Sequence, residues 1–119
     1  MSLPETMQAV VCYAPEDYRL ERVPVPQVGP GEVLIKVTAA GVCASDVKCY
    51  VGAKRIWGGD GFPAYMKAPV IPGHEFVGTV VALGEGAAEK YGLSIGDKAI
   101  SEQIIPCGQC RYCRRGQYW

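Results

Sequence analysis

Glycine and proline interrupt this chain so often that long strands and long helices are excluded. Fifteen glycines and nine prolines occur among its 119 residues, and the apolar or alternating runs between them have the length of short strands. Such runs predict strands at residues 8–13, 18–23, 32–40, 76–83 and 99–105. No segment shows the period of a long amphipathic helix. The pattern predicts one mainly β domain of barrel or sandwich type.

Two segments between the predicted strands are irregular. Ser45 or Asp46 can cap a short helical turn that runs to Tyr50, which would place Cys43 at the junction of a strand and a helix. Residues 52–69 contain four glycines and two prolines and predict an ordered loop without helix or strand. The aromatic side chains of this loop either line a pocket or pack within the loop itself; they are Trp57, Phe62 and Tyr65.

Charge and composition limit the classes of partner. Twelve basic residues balance twelve acidic ones, which argues against nucleic acid or an anionic membrane surface as a partner. The sequence shows no signal-peptide pattern and no apolar run near the ~20 residues that span a bilayer. We therefore expect a cytoplasmic protein, in which six cysteines indicate metal or redox chemistry rather than disulfides.

Two short runs, at residues 41–46 and 70–78, supply a thiolate, an imidazole and a carboxylate from Cys43, His74 and Glu75. These donors suit zinc with an open position for chemistry. A lone histidine is more often structural, and Glu75 could be an ordinary carboxylate near a strand end. The Pro-Gly pair before His74 and the Cys-x-Ser-Asp run upstream favour a metal site.

A second candidate metal site lies near the end of the sequence. Cys107, Cys110 and Cys113 repeat the C-x-x-C spacing of a structural zinc lobe. The alternative is a redox-active C-x-x-C pair, but the βαβ context typical of that motif is absent. Cys12 and Cys49 are expected to be inert packing residues.

Taken in order, these motifs and the Gly-Asp-Lys run at residues 96–98 resemble the zinc-dependent medium-chain alcohol and polyol dehydrogenases, from Gln8 to Trp119. The resemblance implies a mainly β, GroES-like, partly open β-barrel with short helices and a cysteine-rich zinc lobe. We expect residues 1–119 to be this catalytic domain, ending within the lobe, because the family's fourth lobe cysteine falls shortly after Trp119. The family's Rossmann domain is expected to be absent, since no Gly-x-Gly-x-x-Gly opens a helix.

The resemblance also implies roles for individual residues. Cys43 and His74 would be ligands of a catalytic zinc, with Glu75 either binding the metal or holding its water. Ser45 would accept the proton of the alcohol, and Asp46 would orient the ligand imidazole. Capping of the helix by Ser45 or Asp46 is the alternative and can coexist with these roles. Cys107, Cys110 and Cys113 would be three of four ligands of a structural zinc.

The sequence departs from the family pattern in two places. The histidine that often continues the proton relay is replaced by Val47-Lys48, so water is the expected outer route. The interval between Cys43 and His74 is longer than in the shorter alcohol dehydrogenases, which favours the polyol branch.

The function implied is reversible oxidation of an alcohol or polyol to a carbonyl, with hydride transfer to NAD or NADP bound by the missing domain. The fragment alone would be inactive, and the full-length protein would be a homo-oligomer acting on a small molecule. One rival is a zinc-ribbon binding module, which predicts metal at the lobe alone. Another is a non-catalytic GroES-like oligomerising domain, which predicts a ring assembly and no metal.

Overall fold

The computed structural model describes residues 3–118 as two open antiparallel sheets joined by loops. Met1, Ser2 and Trp119, which the predicted domain includes, lie outside the described residues. The first sheet is a hairpin, and the second has the order β3-β4-β5. The strands are β1 (Thr6–Ala14), β2 (Asp17–Pro24), β3 (Val33–Ala40), β4 (Phe76–Leu83) and β5 (Lys98–Ala99). The prediction of a mainly β, partly open fold is confirmed, and neither sheet closes into a barrel within residues 3–118.

The helices are short and lie in the connections. They are α1 (Ala44–Tyr50), α2 (Lys54–Trp57) and α3 (Ala87–Tyr91), followed by a 3₁₀ turn at Cys113–Arg115. Within residues 3–118, the structure has no helix whose length and apolar character would let it cross a bilayer.

Two predictions about elements were wrong. α2 forms inside residues 52–69, predicted to lack helix; this single turn ends at Gly58, whose φ of 86° leaves the helical region. The strand predicted over residues 99–105 is reduced to β5, which pairs with β4 only through Lys98 and Ala99. Ile105 is 95% exposed, so the apolar pattern of that segment does not reflect burial against the sheet.

Few side chains are buried in this open fold. Within residues 3–118 the buried apolar residues are Val11, Cys12, Cys49, Val80 and Ala87. Cys12 also exchanges backbone hydrogen bonds with Val70, at 2.8 and 3.1 Å, which ties the hairpin to the segment before β4. The prediction that Cys12 and Cys49 pack in the interior is confirmed.

The pairing of β3 with β4 determines where the candidate site forms. The two strands are antiparallel, and Ala40 at the end of β3 lies opposite Phe76 at the start of β4. The backbone N–H of Gly41 donates to the Glu75 carbonyl at 2.7 Å and extends the pairing by one step. The residues just after β3 and just before β4 therefore meet at the same edge of the sheet.

Candidate metal centre

Cys43, His74 and Glu75 come together at this edge. The Cys43 Sγ atom lies 3.2 Å from His74 Nε2, and a Glu75 carboxylate oxygen completes a group whose donor atoms all lie within 4.8 Å of one another. Cys43 and His74 are half-buried, whereas Glu75 is exposed. Sulfur and nitrogen ligands of one tetrahedral zinc are about 3.5 Å apart. The spacing and the donor chemistry therefore fit a zinc ion with three protein ligands.

The start of α1 fixes Cys43 through its own backbone. Cys43 is the N-cap of α1, so neither Ser45 nor Asp46 occupies that position, but Asp46 takes part in capping the helix as predicted, through its carboxylate. Asp46 lies at the third helical position, and its Oδ2 accepts a hydrogen bond from the Cys43 N–H at 2.8 Å. This contact of the Asp46 carboxylate belongs to a capping box. It restrains Cys43, whose sulfur faces His74.

Ser45 and Asp46 both contact Cys43 rather than His74. The Ser45 hydroxyl oxygen lies 2.9 Å from Cys43 Sγ. Within residues 3–118, the structure has no hydrogen bond between the Asp46 carboxylate and the imidazole of His74. The roles of Ser45 in proton transfer and of Asp46 in orienting the imidazole stay predictions.

Gly41 allows the Glu75 side chain to reach the site. A Cβ atom at position 41 would lie 2.8 Å from Glu75 Oε2 and 3.3 Å from Glu75 Cβ. The carboxylate thus lies directly over the Gly41 backbone. No sequence motif assigns this glycine a role, although a glycine immediately after a strand is typical of a close approach by another group.

A cavity of about 690 Å³ opens beside His74 and Glu75, a size suited to a small molecule. Glu102 and Gln103 lie in its wall, and they could not be identified from the sequence because no motif contains them. The lining residues are Ala39, Ala40, Gly41, His74, Glu75, Phe76, Val77, Ile100, Ser101, Glu102 and Gln103.

The aromatic residues of the loop after α1 do not line this cavity. The Trp57 indole N–H donates to the Cys49 carbonyl at 2.7 Å, and the Phe62 ring lies beneath the Arg55 guanidinium at 5.3 Å. Tyr65 is 87% exposed. Of the two alternatives, packing within the loop is supported for Phe62, whereas Trp57 contacts the end of α1 instead.

The lobe near the end of the chain forms a second group of metal donors. The sulfur of Cys113 lies 3.7 Å from that of Cys107 and 3.5 Å from that of Cys110. Thiolates bound to one tetrahedral zinc are about 3.8 Å apart. Within residues 3–118, this group holds three donors, and all three are free thiols.

Backbone N–H groups prepare the lobe for a metal ion. Hydrogen bonds from the backbone of Gln109 and Cys110 lower the pKa of Cys107 to about 7. The N–H of Cys113 similarly donates to Cys110 Sγ at 3.4 Å. The pKa of Cys113 itself is raised, first by its contact with the Cys110 thiol and then by burial. At neutral pH the thiolate that a metal requires is therefore more available at Cys107 than at Cys113.

Comparison with known proteins defines the class to which this fold and site belong. Residues 29–119 match the model of the alcohol dehydrogenase GroES-like domain family. Because the match covers most of the chain, the chain belongs to this family. The resemblance described from the sequence motifs is confirmed.

Particular relatives share both sequence and fold. The erythritol/L-threitol dehydrogenase of Mycolicibacterium smegmatis is 59% identical over 116 residues, which are 98% of this chain and 32% of that protein. An acetophenone reductase from Geotrichum candidum, solved with NAD, is 36% identical with a TM-score of 0.76 over 97% of this chain and 31% of its own. A cobalt- and zinc-bound alcohol dehydrogenase from Pyrobaculum aerophilum is 34% identical, with a TM-score of 0.74 over 95% of this chain and 31% of its own. The chain thus spans about a third of the length of these relatives.

Proposed function

We propose that this chain is the zinc-binding catalytic domain of an NAD(P)-dependent dehydrogenase that reversibly oxidises an alcohol or polyol to a carbonyl compound. The observation that carries the proposal is the meeting of Cys43, His74 and Glu75 within 4.8 Å, beside a cavity that His74 and Glu75 line. Membership of the alcohol dehydrogenase GroES-like family supports it. The name of the 59% identical relative favours a polyol as substrate.

In this proposal Cys43, His74 and Glu75 hold a zinc ion. When bound, zinc supplies the Lewis acidity that lowers the pKa of an alcohol toward neutrality. Three protein donors would leave one position of a tetrahedral zinc open for chemistry, and the cavity of about 690 Å³ that His74 and Glu75 line would admit a small substrate beside them. The exposed position of Glu75 suits either direct binding or a hydrogen bond to water.

Ser45 is proposed to receive the proton of the substrate hydroxyl. The Ser45 hydroxyl lies 2.9 Å from the sulfur of Cys43. It is therefore next to the proposed metal ligands, where the substrate hydroxyl would lose its proton. His74 is the only histidine of the chain and belongs to the metal site, so we propose that water carries the proton onward. Asp46 holds the backbone of Cys43, and orientation of the His74 imidazole is its second proposed role.

The remaining parts of the proposal concern the lobe and the whole enzyme. Cys107, Cys110 and Cys113 would hold a structural zinc. Since the relatives are about three times as long as this chain, NAD or NADP would bind to a further nucleotide-binding domain, and the full-length enzyme would be a homo-oligomer. A cytoplasmic location is part of the proposal, because C-x-x-C spacing such as that of Cys107, Cys110 and Cys113 is more typical of metal sites in reducing compartments than of disulfides.

A chimeric enzyme tests the proposed activity. The chain would replace the matching third of the M. smegmatis erythritol/L-threitol dehydrogenase, and oxidation of erythritol would be followed through the absorbance of NADH and NADPH. We expect nicotinamide-dependent oxidation that is lost when His74→Ala is introduced. The control is Gln103→Ala, which changes the wall of the same cavity without removing a metal donor.

Two results would contradict the proposal. One is a folded chimera that binds nucleotide yet oxidises neither erythritol nor simple alcohols. The other is activity that survives His74→Ala at the level of the control. Zinc bound at the lobe in an inactive chimera would instead support the zinc-ribbon binding module.

A further inference from the structure

The C-terminal end of α1 is held by contacts that the proposed chemistry does not use. Cys49 is the buried residue of this helix, with 5% of its surface exposed. Its thiol accepts a hydrogen bond from the Tyr18 hydroxyl at 3.0 Å and lies 3.5 Å from Met66 Sδ. Its carbonyl accepts a hydrogen bond from the Trp57 indole at 2.7 Å. Cys49 is thus one point at which α1 is attached to the rest of the domain.

The hairpin contacts the end of α1 in two places, through Tyr18 and through the turn between β1 and β2. The Tyr18 ring packs against that of Tyr50 with centroids 5.4 Å apart, and the N–H of Glu16 donates to the Tyr50 carbonyl at 3.0 Å. Burial, followed by the contact with Cys49, raises the pKa of Tyr18. The hydroxyl therefore stays protonated and acts as a donor to the sulfur.

α1 connects this attachment to the candidate metal site. The helix has seven residues and is about 10 Å long, with Cys43 as its N-cap and Cys49 in its last turn. A helix this short moves as a unit, so a shift of Cys49 is transmitted to the Cys43 sulfur. Ligand distances at zinc sites are expected to lie within about 0.2 Å of their usual values, so the position of the Cys43 sulfur matters to the site.

We propose that Tyr18 is a positioning residue for Cys43: its hydrogen bond to Cys49 Sγ sets the place of α1 against the hairpin and hence the distance from Cys43 Sγ to His74 Nε2. This inference rests on the metal site of the proposed function. Tyr18 lies in β2, far along the chain from both metal-binding motifs. No motif in the sequence connects it with them.

A cobalt titration of the 119-residue chain tests the inference. Co²⁺ accepts the same donors as zinc, and its thiolate charge-transfer absorbance reports the bond to sulfur. Subtracting the spectrum of the Cys43→Ser chain isolates the Cys43 contribution from that of the lobe. Tyr18→Phe keeps the ring and removes the hydroxyl, and we expect it to weaken cobalt binding at Cys43 about tenfold, the low end of the loss caused by removing a partner of a metal ligand.

Tyr13→Phe is the matched control on the same hairpin. The Tyr13 hydroxyl donates to the Glu21 carboxylate at 3.1 Å on the exposed side, so its removal is expected to leave cobalt affinity unchanged. Cys49→Ala provides a second route to the same contact. If Tyr18 acts through Cys49, then Tyr18→Phe adds little to the loss already caused by Cys49→Ala, because the shared hydrogen bond is already missing.

The outcomes separate the inference from the proposed function. If the double variant Tyr18→Phe, Cys49→Ala lost as much cobalt affinity as the two single variants lose together, the inference would be overturned. So would a Tyr18→Phe chain with a lower Tm but the wild-type cobalt affinity at Cys43, because that result describes a purely structural tyrosine. In both cases the metal site itself stands. A cobalt spectrum that does not respond to Cys43→Ser would overturn the site and the inference together.

Discussion

Cys43 combines two functions at the scale of a single residue. Its backbone begins α1 and bonds to the Asp46 carboxylate, while its sulfur faces His74. The donor chemistry of Cys43 and His74 could be predicted, because it is carried by residue type and by the neighbouring Pro-Gly and Ser-Asp. The part of Asp46 in capping could be predicted as well, but the N-cap position of Cys43 could not, because cysteine is outside the usual N-cap preferences.

Gly41→Ala is expected to weaken metal binding at Cys43 and His74 by up to about tenfold. The new Cβ would lie 2.8 Å from Glu75 Oε2 and push the carboxylate away from the donor group. Isothermal titration with Zn²⁺ measures the change. In a Glu75→Ala background the same substitution should add almost nothing, and an equal loss in both backgrounds would show that Gly41 acts on something other than the carboxylate.

At the scale of elements, the β3–β4 pairing does most to build the site. The hairpin and these strands could be predicted, because alternating or dense β-branched runs identify strands. α2 and the shortness of β5 could not, since a single helical turn depends on local contacts such as the bond from Trp57 to Cys49. The apolar pattern at residues 99–105 also does not show that, of this segment, only Ala99 pairs with β4.

Gly84→Ala tests the close packing after β4. A Cβ at this position would overlap the backbone carbonyl of Gly29, which cannot turn aside as a flexible side chain can. We expect a loss in the free energy of unfolding of about 3 kcal/mol or more, measured by urea denaturation. The control is Gly29→Ala, whose Cβ would meet only the Glu32 side chain, with the carboxylate oxygen at 3.2 Å. Similar losses of unfolding free energy in the two variants would contradict the explanation by backbone overlap.

The whole molecule is flatter and more open than a compact domain of its length. Its radius of gyration is 16.5 Å and its extents are 46 × 41 × 22 Å, whereas a compact chain of this length would have a radius of about 13.5 Å. Ile100 and Ile105 are 74% and 95% exposed. This shape agrees with the proposal that the domain works against a nucleotide-binding domain. Sequence patterns predicted the fold class but not this exposure, because an apolar residue does not reveal which neighbour covers it.

Alkaline pH is expected to destabilise the fold through the buried thiol of Cys12. Burial raises its pKa above the ordinary 9.0, with the Tyr18 hydroxyl and the Cys49 thiol facing it. The folded protein therefore keeps the proton to higher pH than the unfolded chain does. The stabilisation that comes from the protonated Cys12 thiol is fully present below pH 9 and is lost as the pH rises through the pKa of the folded protein. Over that range the free energy of unfolding falls by at most about 1.4 kcal/mol per pH unit.

Urea unfolding at a series of pH values above 9 measures this dependence, with Cys12→Ala as the comparison. The variant is less stable at neutral pH because it leaves a small cavity, but its stability should fall less steeply with pH. Parallel curves for the two chains would exclude Cys12 as the titrating group.

The most direct test of the central claim is the zinc content per chain in the wild type, in His74→Ala and in the cavity-wall control Gln103→Ala. The account predicts that His74→Ala loses about one zinc per chain, while Gln103→Ala retains the wild-type content and any zinc held by the cysteine lobe remains in both. Zinc content indifferent to His74 would contradict the account, because the lobe would then be the only place where the chain binds metal.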